Sequence, residues 1–129
     1  MADRFDWNEF LPLARQLVSD ASDEAAQRSG ISRAYYCAYH HTTIVCRERT
    51  NLPLRGHRIW NELEAFGRNN GLPEMLLMGE LGSDLKRHRI IADYRNPYNR
   101  DNRALPPLEQ LATDAIAQAQ AILRLLDQI

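Results

Sequence analysis

Two short runs concentrate the side chains able to move protons, stack on bases or hold phosphates. The first is Ser32-Arg33-Ala34-Tyr35-Tyr36-Cys37-Ala38-Tyr39-His40-His41. It lies in a stretch with no helix breaker after Ser22 until Asn51-Leu52-Pro53, so it reads as helix. At 100° per residue, Tyr35, Ala38, Tyr39 and Thr42 share one side and Ile31, Ala34, Cys37 and Ile44 another. Arg33, Tyr36, His40, Thr43 and Arg47 fall in a polar stripe about 100° wide on this otherwise apolar helix. Imidazole exchanges protons near neutral pH, and guanidinium pairs with phosphate through two hydrogen bonds. Such a seam faces a ligand groove or a second subunit. It is equally accounted for by core Tyr and His with satisfied polar atoms and by Arg side chains that snorkel to water.

The second run is Lys86-Arg87-His88-Arg89-Ile90-Ile91-Ala92-Asp93-Tyr94-Arg95, followed by Asn96, Tyr98, Arg100 and Arg103. Six basic residues between 86 and 103 stand against two acids, the most phosphate-attracting segment of the chain, with Tyr94 and Tyr98 placed to stack on single-stranded RNA. A solvated face with Arg89 and Asp93 paired across one helical turn explains the same pattern. Cys37, His40 and His41 are zinc-type ligands, yet three residues crowded on one helix lack paired Cys or His spacing, and no metal site is expected. A Gly-rich phosphate loop, a nucleophile elbow and a paired-carboxylate signature are all missing, which leaves most enzyme classes without support.

The elements that must position these residues are helical. The 129 residues suit one domain, 1–129; 44% are apolar or aromatic and 26% charged, as in a globular protein. Valine occurs only at 18 and 45, while Ala, Leu, Arg, Glu and Gln abound, a balance that favours helix over sheet. A first helix is expected over 6–19, with Phe10, Leu13, Leu17 and Val18 as its stripe and Asp6 as cap, and a second over 22–50, capped near Ser22-Asp23-Glu24 and bent or tightly packed at Gly30. A third over 57–68 carries Ile59, Trp60, Leu63 and Phe66. A fourth over 73–94 is open to splitting at Gly79 and Gly82, and Pro106 or Pro107 suits the first turn of a last helix. The architecture expected is all-α, a four- or five-helix up-and-down bundle.

The net charge of −1 hides a split: −3 over residues 1–30, +4 over 31–103 and −2 over the last 26. A basic centre suits an anionic partner, but the near-zero total argues against non-specific DNA coating. Fifteen of the sixteen basic residues are Arg, Lys86 being the exception. Cys37 and Cys46 lie more than two turns apart on one helix, too far for a bridge, and reduced thiols in a cytoplasmic chain are expected. No signal peptide or apolar span of membrane length is read.

Together the two runs resemble the HEPN superfamily, the higher eukaryotes and prokaryotes nucleotide-binding domain, in its small single-domain prokaryotic members. Those show a helix close to "SRAYYAAFHAA", matched by residues 32–41, and a later helix ending "R-x-x-A-D-Y", matched by Arg89-Ile90-Ile91-Ala92-Asp93-Tyr94. His57 is similar to a recurrent His of that group, and the likeness covers most of residues 5–128. It implies a dimerising bundle, commonly the partner of a minimal nucleotidyltransferase in toxin–antitoxin or antiviral modules, and for many members a metal-independent ribonuclease.

The family's ribonuclease signature is an Arg followed, after four to six residues, by a His near the dimer interface. Arg89 takes the place of that Arg, but Tyr94, Arg95 and Asn96 stand where the His belongs. Tyrosine, with a pKa of about 10, is a poor base near neutrality. The expectation for a cleaving enzyme is therefore Arg89 on the phosphorane, with His40 or His88 moving the proton. Arg33, Tyr36, Arg87, Asp93, Tyr94, Arg95 and Arg100 would bind RNA or a nucleotide, with no cofactor. The alternatives are a non-cleaving module that pairs with a nucleotidyltransferase-type antitoxin or another protein, and a structural homodimer.

Overall fold

Local chemistry sets the helix ends in the computed structural model, which describes residues 5–19, 23–52, 54–98 and 105–129. The Asp6 carboxylate accepts from the Asn8 amide at 3.0 Å and opens a 3-10 turn, Trp7–Glu9, that runs into α1, Phe10–Ser19. Asp23 caps α2, Glu24–Thr50, in the same way through the Ala25 amide at 2.8 Å, and Asn51 ends it in the left-handed region at φ 58°. A 3-10 turn, Gly56–Arg58, leads into α3, Ile59–Asn70, which Gly71 terminates at φ 63°. Pro73 opens α4, Pro73–Tyr94, and α5 is Leu108–Leu126. No strand occurs among the described residues, and the fold is an all-α bundle.

At Gly30 the tight-packing alternative holds: a Cβ there would meet the Val18 side chain and the Ala14 carbonyl, so its smallness lets α1 approach. Two other expectations need correction. Gly79 and Gly82 do not split α4, which stays continuous, and both face α3. Pro107 stands at the N-cap of α5, one residue before the helix. Ser22 of the expected α2 cap, and Pro53, Arg100 and Arg103, lie outside the described residues.

The pairs α1/α2, α3/α4 and α4/α5 run antiparallel, whereas α2 and α5 run parallel, end beside end. Arg33 lies over Phe10 and His40 stacks on Trp7, so α1 descends as α2 ascends. Gly67 faces Leu76 and Gly82 faces Trp60, which pairs α3 with α4. On the other side of α4, Gln118 of α5 reaches Asp84 at 2.5 Å. The central helix is α2, touching α1, α4 and α5. Two of its arginines close other helices: Arg28 Nη1 donates to the Ala92 carbonyl at 2.9 Å near the end of α4, and Arg49 Nη1 to the Leu126 carbonyl at 3.1 Å at the end of α5. Both carbonyls lie in the last turn of their helices, where a cation suits the helix C-terminus, and that of Leu126 also accepts from the Ile129 amide at 3.4 Å.

The core joins Ile31, Tyr35 and Ala38 of α2 to Ile59, Trp60 and Leu63 of α3, Met78 and Leu85 of α4 and Ala115, Ala119 and Ile122 of α5. Cys37 and Cys46 are buried and unbridged, and burial pushes each thiol up to about 11, so neither is a nucleophile near neutral pH. No helix among the described residues is long and apolar enough to cross a membrane.

Trp60, 1% exposed, lies directly on Gly82, and a Cβ there would clash with its ring. Gly82→Ala is expected to cost about 3 kcal/mol by overpacking, seen as a lower urea midpoint with an unchanged slope.

Candidate functional site

The polar seam of α2 meets α4 and the turn before α3 around a fully buried tyrosine. Trp60 Nε1 donates to the Tyr35 hydroxyl at 3.1 Å, and the same hydroxyl lies 2.7 Å from His57 Nδ1. An indole nitrogen can only donate, so Tyr35 accepts from Trp60; with the hydroxyl buried and Nδ1 at 2.7 Å, we assign its own proton to Nδ1. In that assignment neutral His57 carries its hydrogen on Nε2. Burial pushes the Tyr35 phenol up to about 12 against the opposing pull of the Trp60 bond and the Arg89 charge, which keeps it a donor. His57 is held below its usual value by burial and then by the charges of Arg89 and Lys86, and Lys86 Nζ donates to the His57 carbonyl at 3.3 Å.

Arg89 sits at the centre, 7% exposed. Its guanidinium carbon lies 5.4 Å from the Tyr35 ring centroid, 5.6 Å from that of Tyr36 and 5.8 Å from that of Tyr94. Nη1 donates to Asp93 at 3.3 Å, while the buried Nε has no hydrogen-bond partner. Burial opposes its charge, but Tyr36 and hydrogen bonds to Asp93 and Tyr94 prevail and raise its pKa. The residue is a fixed cation with one donor unspent.

Aromatic rings extend from it. Tyr36 lies 5.9 Å from His40 and 6.2 Å from His57 between ring centroids, and Tyr39 stacks on His57 at 4.8 Å and meets His40 edge-on at 5.0 Å. Trp7 stacks on His40 at 3.6 Å. The pKa of His40 is lowered by burial and then by His57, so both imidazoles are neutral at neutral pH. The arrangement offers a cation and two neutral imidazoles beside faces on which bases can stack, the parts needed to hold a phosphodiester and move a proton.

Of the residues proposed from the sequence, Arg89, Tyr36, His40, Asp93 and Tyr94 thus belong to one site. His88 does not join them. It packs toward α5, with Nε2 3.6 Å from Asp84 and Nδ1 without a hydrogen-bond partner, beside a cavity of about 450 Å³ also lined by Arg87, Asp114 and Gln118. Arg87 pairs there with Asp84. Burial would raise Asp84, but bonds from Arg87 and Gln118 hold it below its usual value. Arg33 is exposed on the far side of Asp93, lining a pocket of about 250 Å³ with Arg28. Arg95 follows the end of α4.

His57, Tyr39 and Lys86 were not placed in the site by the sequence reading. Tyr39 and Lys86 lay within the two runs without being assigned a role, and His57 was marked by heading a helix and by the family likeness. No group of three or more His, Cys, Asp or Glu positioned for a metal occurs among the described residues. Comparison with known proteins found no matching family model, curated protein or solved structure.

The His57 tautomer has a direct readout. Long-range 1H–15N spectra are expected to show Nε2 protonated; in Tyr35→Phe the Nδ1 acceptor bond is gone and the His57 titration moves to higher pH. An Nδ1-protonated pattern in the wild type contradicts the assigned hydrogen bond.

Stability should also depend on pH. His40, His57 and His88 all have values lowered from 6.5, His88 by burial first and then by Arg87, against the opposing pull of Asp84, Gln118 and Asp114. The unfolded chain therefore takes up protons before the folded one, and stability is full above pH 6.5 and falls below it. Urea midpoints measured from about pH 7.5 down to about pH 5 are expected to decline, and less steeply in His88→Gln.

Proposed function

We propose that the chain is an RNA-acting module of the HEPN type, a component of a toxin–antitoxin or defence system, that cleaves RNA without a metal. The observation that carries this reading is Arg89, buried against a tyrosine wall with an Nε unpartnered among the described residues, the wall leading through Tyr36 and Tyr39 to two neutral histidines. The resemblance of residues 32–41 and 89–94 supplies the family.

In this reading neutral His40 takes the proton of a ribose 2′-hydroxyl. The 2′-oxygen bonds to phosphorus, the bond to the 5′-oxygen breaks, and the proton held by His40 returns to the departing oxygen, leaving a 2′,3′-cyclic phosphate. Arg89 and the Nε2 hydrogen of His57 face the phosphorane charge. Tyr36 and Tyr39 stack the flanking bases. His88, turned toward α5, takes no part. The homodimer belongs to the same proposal and is supported by Ile44, Ile90 and Tyr94, apolar or aromatic side chains left exposed on α2 and α4.

A second reading has its own observation. His40 is covered on one face by Trp7, and Arg89 already spends one nitrogen on Asp93. A module that binds RNA or a nucleotidyltransferase-type partner without cleaving needs no more than this.

Incubation of a labelled mixed RNA pool with purified protein in EDTA separates the two. Cleavage is expected in the wild type and in His88→Ala, with losses of about a hundredfold or more in Arg89→Ala and His40→Ala. A folded wild type that retains RNA but leaves it intact supports the binding module; one that neither binds nor cleaves overturns the RNA reading.

A further inference from the structure

We propose a second phosphate subsite in the groove between the C-terminal half of α2 and the 51–56 turn. It would hold the phosphate next along a single-stranded RNA from the one at Arg89, and so rests on the RNA reading above. The groove has a volume of about 630 Å³ and is lined by Tyr39, Thr43, Arg47, Asn51, Arg55 and Gly56, with Leu52 and Leu54 as its apolar floor. That volume is in the range of small-ligand sites.

Its charge is one-sided. Two guanidinium groups line it, with no Asp or Glu among the described lining residues. Arg28, Arg87 and Arg89 each have a carboxylate partner. Arg47 and Arg55 are exposed and form no ion pair among the described residues, so two like charges share a groove with no carboxylate among its described lining residues. The α2 dipole accounts for a cation at Arg47, in the last turn of that helix, but not for Arg55, which stands before the 3-10 turn. An anion in the groove would meet both guanidinium groups.

Position makes that anion part of a chain. Tyr39 lines the groove and stacks on His57 at 4.8 Å, and Gly56 of the groove is the residue before His57. The groove therefore begins where the Arg89 wall ends, with the Tyr39–His57 pair between the two cationic centres. A base against those rings, with one phosphate at Arg89 and the next at Arg47 and Arg55, matches the alternation of base and phosphate in a single strand.

The test uses a fluorescent, uncleavable 2′-O-methyl decanucleotide and a 2′-O-methyl dinucleotide, titrated at several salt concentrations. Arg47→Ala/Arg55→Ala is expected to bind the decanucleotide about tenfold more weakly, with the slope of log affinity against log salt reduced by about 1.4, or 0.7 for each lost contact. Its binding of the dinucleotide, which needs one phosphate site, should be unchanged, and Arg68→Ala, at the far end of α3, should match the wild type in both. Matching thermal melts exclude misfolding. Wild-type affinity and slope for the decanucleotide in the double variant would overturn the second subsite alone; a wild type that binds neither probe at low salt would overturn the RNA reading instead.

Discussion

A tyrosine hydroxyl cut off from water must place both its proton and a lone pair within the protein, since an unsatisfied buried group costs about 1–3 kcal/mol. Tyr35 does so with side chains of another segment, receiving from Trp60 and giving to His57. That one group ties α2 to the start of α3 and fixes the orientation of an imidazole. Trp60 can reach it only because Gly82 lets α4 lie flat against the indole. The same tyrosine ring faces the Arg89 guanidinium from the other helix. Contact between α3 and α4, the histidine tautomer and the seat of the buried cation thus follow from a single packing arrangement.

Tautomer and cation together decide what kind of chemistry the wall can support. A histidine whose Nδ1 is already accepting presents a hydrogen outward, so His57 is a donor before any ligand arrives. His40 has no such constraint and keeps the freedom to accept a proton. Two imidazoles that both have lowered proton affinity are in this way given unequal roles by their neighbours.

The helices were legible where one face meets the core and the opposite face meets water. In α1, α3 and α5 the apolar stripe announces the element. In α2 and α4, covered on several sides, residue types indicate helix but not which partner each face meets. Gly79 and Gly82 show the difficulty: within a local window a glycine reads as a helix breaker, and the indole that explains Gly82 stands 22 residues earlier in the chain. The candidate site was half legible. Arg89, Tyr36 and His40 announce themselves by type and spacing. His88, next to Arg89 in sequence, is turned about 100° away by the helix, while distant His57 is brought in by Tyr35. Chain adjacency misleads on a helix, and only the tertiary hydrogen bond reveals the partner.

Arg28 and Arg49 give α2 the character of a measuring rod. Near one end of it Arg28 holds the Ala92 carbonyl, and near the other Arg49 holds that of Leu126, so two helices running in opposite directions are each indexed to the same scaffold. Arg89 is three residues before Ala92, less than one turn from the clamp. A slip of α4 by one turn, about 5.4 Å, would break the Arg28 bond and carry Arg89 past Tyr36 in the same movement. A residue inserted between them would turn one by about 100° relative to the other. The length of this segment of α4 is therefore as tightly specified as its composition.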